Sequence, residues 1–227
     1  MFESFGFETL TPRTASVILG LVIGLLFGLL AERSGFCLRR GLVGPAETRR
    51  PALATWLTAL ATAILGTQAA VAQGWISFDD HRLMAADLPY AAILIGGLAF
   101  GIGMVLTRGC ASRLTVLTGT GNLRALTVLL IFAVTAHATM KGLLAPIRTT
   151  LGEITAPMGD AISLAALPGG ALLWSALLAG AALTYVLTVR ISVLQFVAGI
   201  LIGALVPLAW VGTGLVLLDE FDPIAME

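Results

Sequence analysis

Residues 20–40 read "GLVIGLLFGLLAERSGFCLRR" and residues 93–113 read "ILIGGLAFGIGMVLTRGCASR". Each is an apolar, glycine-rich run that ends on a hydroxyl residue, a cysteine and an arginine. A helix rising 1.5 Å per residue needs about 20 apolar residues to cross about 30 Å of hydrocarbon, so each run reads as a membrane helix delivering a short polar segment.

The rest of the chain agrees. Of 227 residues, 58% are hydrophobic and 11% charged, and the mean hydropathy is +0.98. That composition exceeds what a soluble domain with a polar surface carries, and it marks an integral membrane protein. The thirteen acids and thirteen bases cancel, and they cluster near the ends of apolar runs. No basic stripe is available for phosphates, which excludes nucleic acid as a partner. Six spans are expected, near residues 14–31, 52–73, 90–106, 123–145, 169–188 and 192–218. The first reads as a permanent helix, because Glu3 and Glu8 stand where a signal peptide would carry bases. Long uninterrupted apolar segments favour helices over a barrel, so the fold class is an all-α polytopic membrane protein.

Charge suggests an orientation. Glu32, Arg33, Arg39, Arg40, Glu47, Arg49 and Arg50 sum to +3, as do Arg108, Arg113 and Arg124. The opposite connections, with Asp79, Asp80, Arg82 and Asp87, then Arg148, Glu153 and Asp160, are neutral or acidic, and so is the tail. The positive-inside rule therefore places both termini outside and the cysteine segments toward the cytoplasm.

A shift of 73 residues aligns Gly24, Leu25, Phe27, Gly28, Cys37 and Arg40 with Gly97, Leu98, Phe100, Gly101, Cys110 and Arg113, and sets Ser34 on Thr107. The expected architecture is a tandem repeat: unit one over about 14–73, unit two over about 90–145, and a C-terminal helical pair over about 169–218. Glycines four apart, as in Gly20, Gly24 and Gly28 or Gly97 and Gly101, let membrane helices approach closely. From Ser34 to the Gly44–Pro45 break, and from Thr107 to the Gly119–Gly121 turn, each segment is too short to span and reads as a re-entrant half helix.

Ser34 and Thr107 are expected to cap these half helices, which would set both cysteines in the first turn. A thiol there meets free backbone N–H groups and the positive end of the helix dipole, with arginines alongside. The candidate anion-binding set is Cys37, Ser34, Gly35, Arg39 and Arg40 in one copy and Cys110, Thr107, Arg108, Gly109, Ser112 and Arg113 in the other. Gly35 and Gly109 would let a ligand approach the backbone, and Ser112 adds a hydroxyl. A single membrane cysteine is usually small apolar filler, and a single arginine is as often an interfacial anchor. The recurrence of the whole pattern favours a binding role. No metal is expected, since neither His81 nor His137 stands at ligand spacing from a cysteine, and His137 is expected in an interhelical hydrogen bond. No Gly-rich run ends in the Lys-Ser/Thr of a phosphate loop, so neither ATP nor any other cofactor is expected.

These residues carry a resemblance. A glycine-rich helix feeding "ERSGFCLRRGL" at 32–42, followed by "LTRGCASRL" at 106–114, resembles the YeeE/YedE family of bacterial inner-membrane sulfur-compound transporters. The resemblance implies a permease, not an enzyme, that takes thiosulfate or a related anion. It also implies Cys37 and Cys110 as relay thiols acting through S–H hydrogen bonds. Full-length members usually carry a further Gly-Cys motif toward the C-terminus, and this sequence has two cysteines only. The expectation is a truncated form or a shorter variety completed by another subunit. Partners implied are a small sulfur anion, the lipid bilayer, and a small cytoplasmic sulfur carrier or a second membrane subunit. The competing readings are a membrane thiol redox or persulfide carrier, and a non-catalytic membrane subunit.

Overall fold

The computed structural model describes residues 12–78, 87–157 and 166–216. Glu3, Glu8, Asp79, Asp80, His81, Arg82, Asp160 and the acidic tail, on which parts of the sequence reading rest, lie outside the described residues. The chain runs α1 (Pro12–Ser34), α2 (Leu38–Val43), α3 (Ala46–Ala72), α4 (Tyr90–Leu106), α5 (Ala111–Gly119), α6 (Leu123–Lys141), α7 (Ala145–Glu153), α8 (Gly170–Thr188) and α9 (Val193–Val211), which a π turn extends over Gly212–Val216. Among the described residues six segments are long and apolar enough to cross a membrane: Thr14–Val43, Ala46–Ala72, Tyr90–Gly119, Leu123–Lys141, Gly170–Thr188 and Val193–Leu215. The protein is therefore a multi-pass α-helical membrane protein, as the hydropathy pattern implies.

The packed centre is α3, flanked by α9 and α8, with α2 folded against its start. Close approach depends on glycine. A Cβ at Gly203 would strike the Ala59 carbonyl oxygen, one at Gly199 would come within 3.0 Å of the Thr55 carbonyl oxygen, and one at Gly66 within 2.7 Å of Pro207 Cγ. Thr55 and Thr58, the largest fully buried side chains among the described residues, donate within their own helix to the Pro51 and Ala54 carbonyls at 3.0 and 2.9 Å. That back-bonding satisfies a hydroxyl in an apolar seam without needing a neighbour.

The expected glycine seams on α1 and α4 are not found. A Cβ added at Gly20, Gly24, Gly28, Gly97 or Gly101 would meet nothing within 4 Å. Residues four apart mark a face a partner could approach. Which face is used depends on the opposing helix, and here it is α9 that uses it. The second expected half also stands apart: α4 packs on α7 and α2, and α5 on α6 and α1, with little other contact to the central helices.

Helix ends differ locally from expectation. α6 stops at Lys141, where the Gly142 N–H bonds to the Ala138 carbonyl at 3.0 Å, and a separate helix begins at Ala145 with proline in its first turn. α9 starts on a capping box, Ser192 with Gln195. His137 is exposed on α6 and makes no hydrogen bond among the described residues, so the expected interhelical bond is absent.

Candidate functional site

The hydroxyls of Ser34 and Thr107 do not cap the short helices. Ser34 is the last residue of α1 and donates to the Leu30 carbonyl at 2.7 Å, while Thr107 follows α4 and donates to the Gly103 and Gly109 carbonyls at 2.8 and 2.9 Å. At the end of an apolar helix the i−4 carbonyl lies closer to a Ser or Thr hydroxyl than any N–H beyond the turn, so back-bonding wins. The cysteines become the N-caps instead. Cys37 precedes α2 and Cys110 precedes α5, both in extended conformation, and each sulfur lies beside the open N–H groups of a helix start.

Positions 73 apart share this geometry. The residue after each hydroxyl is left-handed: Gly35 at φ 65° and Arg108 at φ 58°, the latter the one non-glycine with positive φ among the described residues. Such a conformation is routine for glycine and costs any other residue about 1–2 kcal/mol, so arginine at 108 is held there against its preference. Gly35 has a further constraint, because a Cβ would fall 2.8 Å from an Arg40 guanidinium nitrogen.

The two turns meet. Cys37 and Cys110 are buried thiols, not joined in a disulfide, in one cluster with Met104, and Leu38 packs against it. The Cys110 sulfur also lies 3.2 Å from the Ser112 hydroxyl. Beside the cluster lies a cavity of about 350 Å³ lined by Gly35, Cys37, Arg39, Arg40, Arg108 and Arg113, with Gly44, Pro45, Thr48 and Leu117 completing the wall. Four arginines thus line one opening. Among the described residues one of them is ion-paired: Arg113 donates to the Glu32 carboxylate at 3.1 Å. Among the described residues Arg39 Nε is buried without a hydrogen-bond partner, a donor left to be satisfied.

Six of the expected residues therefore line the cavity, and Cys110 lies behind it against Cys37. Ser34, Thr107 and Gly109 shape the turns, and Ser112 contacts Cys110. Thr48, in the first turn of α3, and Leu117 of α5 reach the wall only because α2 folds back on α3 and α5 lies beside α1, which no local pattern discloses. No group of His, Cys, Asp or Glu suited to a metal occurs among the described residues.

Comparison with known proteins places the chain in a family. The thiosulfate transporter TsuA of Escherichia coli is 30% identical over 107 residues, which cover 46% of this chain and 29% of that protein. TsuA of Spirochaeta thermophila is 29% identical over 126 residues, covering 54% of this chain and 36% of its own. The matched part thus spans about a third of the length of these curated relatives. No solved structure matches the chain. A family model described as sulphur transport matches residues 33–219, from the turn before Cys37 to beyond α9, and the chain belongs to that family.

Proposed function

We propose that this protein is a bacterial inner-membrane permease for thiosulfate or a closely related sulfur-containing anion. The observation that carries the reading is the convergence of Arg39, Arg40, Arg108 and Arg113 with Cys37 on one cavity whose rear contacts Cys110. The guanidiniums draw in the anion, and weakly bonding thiols pass it on. Cys37, which borders both cavity and cluster, receives it first, and Cys110 follows. A relay suits transport because each station must release what it binds. In this reading α2 and α5 are re-entrant elements of a tandem repeat. The names of the two transporter relatives support the choice of thiosulfate.

Uptake of labelled thiosulfate into proteoliposomes containing the protein tests this. The expected result is saturable uptake that excess thiosulfate competes away and that Cys37→Ala reduces at least about tenfold. Uptake equal to that of empty vesicles would refute it.

Contact between two free thiols favours one alternative, a persulfide carrier. There a Cys37 thiolate would attack the outer sulfur of thiosulfate, the S–S bond would break, and sulfite would leave. Intact mass after exposure to thiosulfate separates the two: a permease stays unmodified, and a carrier gains one sulfur.

A further inference from the structure

The four cavity arginines are not equivalent. Arg113 is paired with Glu32 at 3.1 Å, and this is the one ion pair found among the described residues. Arg40, at the corresponding position of the first turn, lines the same cavity and has no carboxylate partner among the described residues. The position corresponding to Glu32, 73 residues on, is Val105, so only one of the two turns carries an internal anion. Glu32 and Arg113 also reach across the junction between α1 and α5, one of the few places where the α4–α7 group touches the remaining helices.

We propose that Glu32 is a built-in competitor for the transported anion. It occupies Arg113 when the cavity is empty, yields it when a dianion enters, and takes it back to expel the anion. This rests on the permease reading above. Exposure decides that the pair can exchange: the Arg113 and Glu32 side chains are 24% and 45% exposed. A fully buried pair would be costly to open, whereas a pair whose arginine lines the cavity can yield to a small, doubly charged anion that bonds several guanidiniums at once. Glu32 therefore acts on affinity and release through Arg113, and it is a positioning residue that sets how tightly the cavity holds its cargo.

The test is thiosulfate and sulfate binding to the purified protein by calorimetry, paired with uptake, for wild type, Glu32→Gln, Glu32→Asp and Glu32→Gln with Arg113→Gln. Expected is a dissociation constant about two- to five-fold lower for Glu32→Gln, with a lower maximal uptake rate. Glu32→Asp, which keeps the charge, should stay near wild type, and the gain should vanish when Arg113 is also replaced. Unchanged or weaker binding by a folded Glu32→Gln protein overturns the proposal and leaves the permease reading intact. A gain that persists without Arg113 also overturns it, because the carboxylate would then act only through general repulsion. Tighter sulfate binding by Glu32→Gln, with no thiosulfate binding by any variant, supports the competitor role and refutes thiosulfate as cargo. If no variant binds either anion, both fail.

Discussion

The two cysteine turns share a backbone and differ in their side chains. Both follow a hydroxyl bonded back into its helix, both pass through a left-handed residue, and both end on an N-cap cysteine. Their substitutions separate their tasks. The first turn places Gly35, Arg39 and an unpaired Arg40 on the cavity, whereas the second has Arg108 for the glycine, Ser112 for Arg39 and an Arg113 already held by Glu32. In the proposed relay the first turn collects the anion and the second, whose cysteine lies behind the cavity against Ser112, hands it on.

Removing the free charge should hurt most. Arg40→Gln is expected to lower the apparent affinity for thiosulfate at least about tenfold, the low end of the roughly 1.5–3 kcal/mol contributed by a hydrogen bond to a charged group. Arg113→Gln should cost only a few-fold, since Glu32 already offsets part of its charge. Uptake kinetics at low ionic strength would show this order, and equal losses would erase the distinction between the turns.

The left-handed positions give a smaller, opposite pair of effects. Gly35→Ala should destabilise by about 1–2 kcal/mol and also shift Arg40 out of its contact. Arg108→Gly relieves that same strain and, after the extra freedom glycine gives the unfolded chain, should stabilise by about 0.5 kcal/mol. Thermal unfolding in detergent would show the two shifts in opposite directions. Smallest of all, Ser112→Ala removes one weak contact to Cys110 and should slow uptake about two-fold without changing affinity.

Much of this was legible in the sequence because hydropathy is local and additive. Apolar windows located all six spans, and the spacing of two cysteines among arginines pointed to the residues that gather round the cavity. What escaped depended on neighbours. Ser34 and Thr107 fit the composition of an N-cap, yet the nearest acceptor for each hydroxyl lies behind it in the preceding helix. The pairs Gly24/Gly28 and Gly97/Gly101 have the same spacing as Gly199/Gly203, but only the last pair faces a helix close enough to need it. The Glu32–Arg113 pair joins residues 81 apart, through an approach of α1 to α5 that neither segment encodes alone.

The central claim is that the two touching thiols carry the anion onward from the arginine cavity. Initial rates of thiosulfate uptake by Cys37→Ala and Cys110→Ala, each checked for wild-type thermal stability, test it most directly. Both are predicted to fall at least about tenfold while the cavity still binds thiosulfate. Wild-type rates in either variant would contradict the relay and reduce that cysteine to filler.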